Sequence, residues 1–412
     1  MNYSLFVGID WADKDHQVCA VDAQGKRLTE FSVEHSAAGM TRLASRLLEL
    51  AQAASKCAVA IELTRGPIVE GLLERGFDVF AINPKQLDRF RDRHTTAGAK
   101  DDRRDAYVLA DSLRNDRPRF RRLELDEPLI IRLRELSRTH RELQNDLGRL
   151  SSRLREQLHR YFPQLLNFSS GADEPWLWSL LLKAPTPHEA RRLKKAQLTK
   201  LLKDHHIRRF SADALHQALA QSSLQLAPGS IEAASEHVHS LIARLRPTHE
   251  QLRLCDRRLG ELLAQLAEQP ASDASEGEHR DAEILLSLPG VGKFNGAAML
   301  SEASQALRMR DYATLASLSG VAPVTRQSGS RRVVFMRRAC SHRLRDALYS
   351  WANCSIQNDQ AALQHYRNAR QRGLDHNPAL RTLGQRWLRI LVAMLRDRTL
   401  YDPDLDHAVH AA

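Results

Sequence analysis

Residues 100 to 106 read Lys-Asp-Asp-Arg-Arg-Asp-Ala and lie between a polar, glycine-containing loop and an amphipathic helical pattern. Asp102 and Asp105 are three residues apart, so a helix that begins near Asp102 places both carboxylates on one face. Neighbouring acids repel each other unless a cation or solvent screens them. Taken alone, the stretch is more simply explained as an acidic first turn that the helix dipole favours. The strands that precede it favour a metal site instead.

The first hundred residues predict a mixed α/β sheet. Apolar runs indicate strands at 4–10, 17–21, 27–33, 57–61 and 77–82. Helical patterns indicate helices at 38–53, at 66–75 and after the turn at Asn83-Pro84. Three consecutive strands followed by alternating helix and strand are typical of a mixed sheet.

Two of these strands end in an acid, Asp10 and Glu62. Open α/β sheets bind ligands at the carboxyl ends of their strands, so neighbouring strands would project both carboxylates over one edge. A helix that begins near Asp102 would add Asp102 and Asp105. Four such oxygen donors suit one or two Mg²⁺ ions about 4 Å apart, which activate the attacking oxygen and stabilise the leaving oxygen of a phosphodiester. Soft ligands are missing, which argues against zinc or copper, and Mn²⁺ is the expected substitute for Mg²⁺.

Composition points to a polyanionic partner. The 412 residues, 42% of them hydrophobic, have room for two or three domains, and 61 Lys+Arg against 50 Asp+Glu give a net charge of +11. No apolar run approaches the roughly 20 residues of a membrane-spanning helix, and no signal peptide precedes Tyr3. The five cysteines are scattered without metal-ligand spacing. We therefore expect a reduced, cytoplasmic protein without structural zinc and without a membrane partner.

The middle of the chain predicts two long helices. Leucines recur every three, four or seven residues from 129 to 158, and a second series runs from Val238 to Leu266 with Pro247 as an expected kink. These seams form either an antiparallel arm or a dimer zipper. Between them, residues 166–228 predict a helical insert that carries Trp176, Trp178 and the basic run 191–195. That run fits a phosphate contact, but a solvated helix face is the commoner explanation.

The expected domains are a catalytic domain at 1–125, a coiled-coil arm with its insert at 126–270 and a mostly helical C-terminal domain at 283–400, after a polar linker at 271–282. The last domain begins with Leu-Pro-Gly-Val-Gly-Lys at 288–293, which predicts a helix-hairpin-helix. Its glycines, Gly290 and Gly292, would let backbone amides approach a phosphate beside Lys293. A tight turn that only packs two helices is the alternative.

The C-terminal domain replaces lysine with arginine. No lysine follows Lys293, and residues 301 to 412 contain 17 Arg against 9 Asp+Glu, which suits planar contacts to phosphates and base edges. The arginines predicted to bind nucleic acid are Arg326, Arg331, Arg332, Arg337, Arg338 and Arg343. Among them lies Ser328-Gly329, in a predicted loop where the serine is open to substrate and cations stand ready to stabilise a phosphorane. Ser-Gly is also a common turn, which is the simpler explanation of this pair alone.

Together these residues resemble the DEDD-type transposases of bacterial insertion sequences, called the IS-one-ten family. The resemblance covers most of the chain, with ordered motifs in both halves. The segments that carry it are Val7 to Asp10, Glu62, Lys100 to Asp111, Leu288 to Gly292, Ser319 to Pro323 and Ser328-Gly329.

The resemblance implies a RuvC-like, ribonuclease-H-type N-terminal domain in which Asp10, Glu62, Asp102 and Asp105 hold Mg²⁺. It implies a C-terminal transposase domain in which Ser328 attacks DNA and leaves a covalent phosphoserine intermediate. It further implies sites assembled between the subunits of a homodimer or homotetramer. A structured bridge RNA from the element would pair with target and donor DNA, and the protein would act at the bacterial nucleoid.

The chain departs from the family pattern at Asp101, where a small hydroxyl residue is usual. The adjacent acids therefore compete for the position that faces the metal. Asp13 and Asp15 likewise compete with Asp10, but they follow the strand end and are better explained as turn residues.

Three other functions compete with a recombinase. A RuvC-like nuclease or Holliday-junction resolvase would use activated water, with Ser328 as an ordinary loop residue. A nucleic-acid-binding repressor with a decayed site is disfavoured because all four acids are present. Actin-like sugar kinases share the opening strands, but the chain has no second glycine-rich phosphate loop.

Overall fold

The computed structural model describes residues 2–82, 84–91, 101–222, 224–268, 280–329 and 331–403, without the side chains of residues 84, 85 and 332. Lys100, Ser330, the side chain of Arg332 and most of the predicted linker therefore lie outside the described residues. The chain divides into two compact units, Met1–Glu127 and Pro128–Ala412.

The first unit is a mixed sheet with helices on both faces. Its strands are β1 (Leu5–Asp10), β2 (Asp15–Asp22), β3 (Arg27–Glu34), β4 (Cys57–Ile61), β5 (Asp78–Ala81) and β6 (Arg121–Arg122). Its helices are α1 (Ala37–Ala51), α2 (Pro67–Glu74), α3 (Pro84–Arg91) and α4 (Asp102–Asp116). The strand order is β3-β2-β1-β4-β5-β6, in which β1, β4 and β5 are parallel and the other pairings are antiparallel. The predicted mixed sheet is confirmed, and β6 was not predicted because two arginines give no apolar pattern.

The two faces of the sheet follow from the alternation of side chains along each strand. Leu5, Val7 and Ile9 pack with residues of α1 and α2 in one hydrophobic cluster. Phe6 packs on the opposite face with residues of α3 and α4. The central strands are therefore covered on both sides, which explains their nearly continuous apolar sequence.

The second unit is mostly helical. Its helices are α5 (Pro128–Tyr161), α6 (Pro175–Lys183), α7 (Pro187–Arg191), α8 (Lys195–Asp204), α9 (Ala212–Ala220), α10 (Ser230–Glu268), α11 (Asp281–Ser287), α12 (Gly292–Glu302), α13 (Ser304–Arg308), α14 (Tyr312–Leu318), α15 (His342–Asn358), α16 (Gln360–Gln371) and α17 (His376–Asp397). Two strands, β7 (Val324–Ser328) and β8 (Arg331–Phe335), form an antiparallel hairpin between α14 and α15. No helix within the described ranges has the length and apolar character needed to cross a membrane.

The two long helices, α5 and α10, pack against each other within one chain. Near one end Cys255 Sγ donates to the carbonyl oxygen of Leu136 at 3.4 Å, and near the other Leu154 shares a core cluster with Leu241. The helices are therefore antiparallel, and Pro247 lies inside α10. The two predicted long helices are thus present and pack within this chain.

The segment between the long helices is helical, and its two tryptophans are core residues. Trp176 and Trp178 are each 1% exposed, so they hold the insert together. The basic run at 191–195 is exposed apart from Leu193.

Candidate active site

A single glycine fixes the position of α4 over β1. A Cβ atom on Gly8 would lie 1.9 Å from the carbonyl oxygen of Ala106 and 2.6 Å from the amide nitrogen of Ala110. Those distances leave no room for any side chain, so the α4 backbone lies directly on β1. A glycine inside a strand is typical of such a close approach. The end of α4 lies near the amino end of β1, since a Cβ on Gly25, in the turn after β2, would be 3.0 Å from the Arg114 side chain. The start of α4 therefore lies toward the carboxyl end of β1.

The same alternation assigns two acids to the face that α4 covers. Asp10 is two residues beyond Gly8, and Glu62 is two residues beyond Ala60, which packs on the α4 face. Strands β1 and β4 are parallel neighbours with Ile9 opposite Ile61. Asp10 and Glu62 therefore leave the sheet side by side, next to the first turn of α4. We call this region, comprising Asp10, Glu62, Asp102 and Asp105, the acid edge.

Asp105 is already paired at the acid edge. Its carboxylate accepts two hydrogen bonds from Arg91, from Nε to Oδ1 at 2.6 Å and from Nη2 to Oδ2 at 2.7 Å. The Asp105 side chain is 1% exposed and that of Arg91 is 22% exposed. A buried carboxylate needs such compensation, and removing one partner of a buried pair typically costs about 3–5 kcal/mol.

Arg91 also interacts with a second acid of the edge. Burial lowers the pKa of the Arg91 guanidinium, but the hydrogen bonds and charge of Asp105, with the charges of Asp88 and Glu62, raise the pKa overall. The guanidinium is therefore fully charged and close enough to both Glu62 and Asp105 to be stabilised by each. Arg91 was not predicted as a site residue.

Asp101 and Asp102 are both exposed, in contrast to Asp105. Asp101 is the N-cap of α4, and its side chain accepts a hydrogen bond from the Arg103 amide at 3.2 Å. Serine, threonine and aspartate are interchangeable as N-caps. The departure from the family pattern at this position therefore replaces one capping residue with another. Asp102 begins the helix, with its side chain in solvent.

The donor types at the acid edge suit a hard divalent ion, because all four are carboxylates. Within the described ranges, however, no three His, Cys, Asp or Glu side chains are grouped so as to hold a metal ion. The topology brings the four acids to one edge, while Asp105 turns both of its oxygens toward Arg91. A cation is thus present at the edge, and it is the guanidinium.

Ser328 lies in the second unit, at the end of a strand rather than in the predicted loop. It is the last residue of β7 and pairs with Arg331, the first residue of β8. Gly329 follows with φ +57, a conformation that favours glycine and reverses the chain. The prediction of a loop was wrong because alternating small and polar residues hide a short, exposed strand. We call β7 and β8 with their turn the serine hairpin.

One face of the serine hairpin combines a hydroxyl with cations. Side-chain alternation and strand register place Arg326, Ser328 and Arg331 on the same face. All three are exposed, and the Arg326 guanidinium lies over the Phe335 ring at 5.4 Å. Phe335 itself is 47% exposed, so this face presents both charge and an aromatic surface to solvent.

The arginines beyond the hairpin are not equivalent. Arg337 is half-buried, and its Nε donates to the Ala322 carbonyl oxygen at 3.3 Å, which anchors the base of the hairpin. Arg343 forms an ion pair with Glu142 of α5 at 3.6 Å. Arg338 is exposed.

The two glycines in the turn between α11 and α12 differ in their surroundings. Gly290 has φ +79, and a Cβ there would lie 2.5 Å from the Ser355 amide nitrogen. Gly290 is therefore needed for packing against α15, which agrees with the alternative interpretation of this segment as a tight turn that packs helices. Gly292 and Lys293 are exposed, so the start of α12 faces solvent.

A buried histidine that pairs with an exposed one near the end of β1 was also missed. His16 is 0% exposed, its Nδ1 accepts a hydrogen bond from the Ala12 amide at 3.3 Å, and its Nε2 lies 3.0 Å from His35 Nδ1. Burial and the neighbouring His35 lower the pKa of His16, although Asp15 opposes them. A lone histidine in a strand pattern gives no signal of such a pair.

An acid-bearing mixed sheet joined to an arginine-rich helical unit is compatible with a protein that acts on nucleic acid, and comparison with known proteins identifies the class. Residues 7–163 match a family model of DEDD type for IS110 (IS-one-ten) that is described as a transposase. Residues 282–367 match a second model, described as the transposase of the IS116/IS110/IS902 family.

Similar proteins carry matching names. The mini-circle transposase named for IS117 in Streptomyces coelicolor is 34% identical over 97% of this chain and 95% of its own length. A protein of Sinorhizobium fredii named as a transposase is 45% identical over 53% of this chain and 62% of its own length. An uncharacterized 44.8 kDa protein of insertion element IS116 in Streptomyces clavuligerus is 28% identical over 97% and 96%. The chain belongs to the IS110/IS116/IS902 family and is a DNA transposase.

Proposed function

We propose that this transposase cuts and rejoins DNA through a covalent bond between Ser328 and a DNA phosphate. Mg²⁺, or Mn²⁺ in its place, would be held by Asp10, Glu62, Asp102 and Asp105. The single observation that supports the proposal is the packing of α4 on Gly8, beside the parallel strands β1 and β4 whose ends carry Asp10 and Glu62. The exposed Ser328 beside two arginines supplies the nucleophile.

The chemistry conserves bonds and needs no external energy source. The Ser328 Oγ attacks phosphorus, the new Oγ–P bond replaces a bond from phosphorus to a sugar oxygen, and the hydroxyl proton passes to the leaving oxygen. Attack by another sugar hydroxyl reverses the step, frees Ser328 and joins new ends. Arg326 and Arg331 would stabilise the extra negative charge on phosphorus. A bound divalent ion would supply further charge stabilisation at the reacting oxygens.

The two groups lie in separate compact units, so the proposed chemistry draws on both units. Ser328 belongs to the second unit and all four acids belong to the first. We propose that they meet in a homodimer or homotetramer, within one subunit or between two. The net charge of +11 and the exposed arginines support binding of DNA, and also of a structured guide RNA from the element.

The finer architecture belongs to the same proposal. We assign a RuvC-like catalytic domain to 1–125, a coiled-coil arm with its insert to 126–270 and the transposase domain to 283–400. In the last, residues 288–293 would act as a helix-hairpin-helix through Gly292 and Lys293, which are exposed. Because its proposed substrate is bacterial DNA, we also propose that the protein acts in the cytoplasm, at the nucleoid.

The test is a covalent adduct on labelled element-end DNA, supplied with Mg²⁺ and the transcribed flanking RNA. Wild-type protein should retain label on a denaturing gel, and Ser328→Ala should lose at least about a hundredfold of it, because the nucleophile is absent. Thr325→Ala is the matched control, since Thr325 lies on the same strand but on the opposite face. Persistence of the adduct in Ser328→Ala would exclude Ser328 as the nucleophile.

A hydrolytic nuclease is the second candidate, favoured by the location of Ser328 in a different unit from the acids. In that case the acid edge would act with activated water, as in a junction resolvase. The same gel separates the two, because hydrolysis releases cut DNA without attached protein. Cleavage that survives in Ser328→Ala would favour the nuclease.

A further inference from the structure

We infer that Arg91 is a built-in counter-ion of the acid edge, which holds Asp105 until a divalent cation displaces it. This inference rests on the proposed function, because it concerns the same acids. It assigns Arg91 a positioning role: the guanidinium pairs with the buried carboxylate of Asp105 and orients it in the absence of the ion.

The geometry of the pair makes the two cations competitors. Both oxygens of Asp105 accept hydrogen bonds from Arg91, at 2.6 and 2.7 Å. A guanidinium has no lone pair for a metal, and its two parallel bonds cover the edge of the carboxylate that an ion would approach. Asp105 therefore cannot serve both cations equally well.

Burial explains why a counter-ion is needed at this acid. The Asp105 side chain is 1% exposed, so solvent does not screen it, whereas Asp102 is exposed. An unpaired carboxylate in the position of Asp105 would be strongly disfavoured. Arg91 thus lets the edge fold before any divalent ion arrives.

Arg91 has a second partner, Asp88, that it can retain when a divalent cation binds Asp105. Its Nη1 donates to Asp88 Oδ1 at 2.5 Å, one turn earlier on α3, and Asp88 is 64% exposed. The guanidinium can keep that partner while it releases Asp105. The exchange then requires movement of one side chain, with α3 and α4 in place.

The test measures Mn²⁺ binding to the full-length protein without nucleic acid, from the electron paramagnetic resonance signal of free Mn²⁺. Arg91→Gln should bind Mn²⁺ roughly tenfold more tightly than wild type, because the competing pair of charged hydrogen bonds is gone. Arg91→Lys keeps the charge but offers no parallel bonds, so its affinity should lie between the two. Asp105→Asn should lose most of the binding.

Arg89→Gln is the matched control, because it removes the same charge from an exposed position on the same helix. An affinity of Arg91→Gln equal to or below wild type, or an equal gain in Arg89→Gln, would overturn the inference. Should Arg91→Gln not fold, Arg91→Lys decides by the same comparison.

Thermal unfolding gives a second readout that a purely structural salt bridge would not produce. Without ion, Arg91→Gln should melt below wild type, and saturating Mn²⁺ should remove most of that difference, since the ion replaces the lost partner of Asp105. A difference in melting temperature that Mn²⁺ leaves unchanged would contradict the exchange.

The outcomes separate the inference from the proposed function. If wild type binds Mn²⁺ and forms the Ser328 adduct while Arg91→Gln gains no affinity, only the role of Arg91 falls. If wild type and every variant bind no Mn²⁺, the metal role of the acid edge falls, and the inference falls with it.

Discussion

The acid edge and the serine hairpin carry the two halves of the proposed chemistry, and the fold holds them in opposite ways. The acid edge is held by the close packing of the α4 backbone on Gly8 of β1, and the Asp105 side chain is 1% exposed. The serine hairpin has two strands and exposes Ser328, Val334 and Phe335. Two strands alone are marginally stable in water. Packing therefore preorganises the acids. We expect the serine hairpin to become fixed only when it contacts a partner surface.

The largest change in stability is expected from a substitution at Gly8, on which α4 packs. Gly8→Ala places a Cβ 1.9 Å from the Ala106 carbonyl oxygen, so α4 must move away from β1. Chemical denaturation should show a loss of about 3 kcal/mol in the free energy of unfolding of the first unit, the upper end of the usual cost of overpacking, because the clash is with backbone.

Gly71→Ala in α2 is the control in the same unit. Among the described residues, the Cβ there meets only the end of the Arg75 side chain, at 3.3 Å, and alanine is the better helix former by about 1 kcal/mol. This variant should be as stable as wild type or more so. Equal stability of Gly8→Ala and wild type would mean that α4 is not seated on β1.

The same substitution in the serine hairpin should behave differently. Gly329 has φ +57, and a Cβ at this position would have no atom of the described residues within 4 Å. Gly329→Ala therefore strains only the local backbone, by about 1–2 kcal/mol. The hairpin is outside the core, so the free energy of unfolding should change by no more than this local strain, about 1–2 kcal/mol. Adduct formation should fall several-fold, because the turn after Ser328 is altered.

Denaturation and the adduct gel measure both properties of Gly329→Ala. A loss of stability as large as that of Gly8→Ala would show that the hairpin is part of the core. An unchanged adduct yield would show that the geometry of the turn does not position Ser328.

The sequence predicts the acid edge better than the serine hairpin for a physical reason. Strands β1 and β4 are buried on both faces, so they read as apolar runs, and the acids that end them stand out. Strand β7 is Val-Thr-Arg-Gln-Ser and exposed after its first residue, so no apolar alternation marks it. A hairpin of this kind is visible only once its partner strand is known.

Two features of the acid edge escaped prediction for different reasons. Gly8 carried a readable signal, because an isolated glycine in a strand indicates close backbone approach. Arg91 carried none, since its pairing with Asp105 depends on how α3 and α4 pack on the sheet. Periodicity places residues on a face of one element, while ion pairs between elements require the tertiary arrangement.

The smallest effect is expected from pH, through the histidine pair beside the acid edge. Burial, with the charge of His35, lowers the pKa of His16, so the folded protein holds the neutral ring, whose Nδ1 accepts from the Ala12 amide. The unfolded chain takes up a proton near its ordinary pKa of about 6.5. The stabilisation is therefore complete above that pH and is lost as the pH falls from there toward the lower pKa of the folded state.

Denaturation at about pH 8 and about pH 5.5, on either side of the ordinary histidine pKa, should show a larger loss of stability on acidification in wild type than in His16→Gln. Glutamine cannot titrate, yet its amide oxygen can accept the same hydrogen bond from Ala12. Subtracting the pH-dependent change in unfolding free energy of His16→Gln from that of wild type removes the contributions of the other histidines. Identical pH dependence would mean that His16 titrates alike in the folded and unfolded states, and that the end of β1 owes its position to Gly8 and α4 alone.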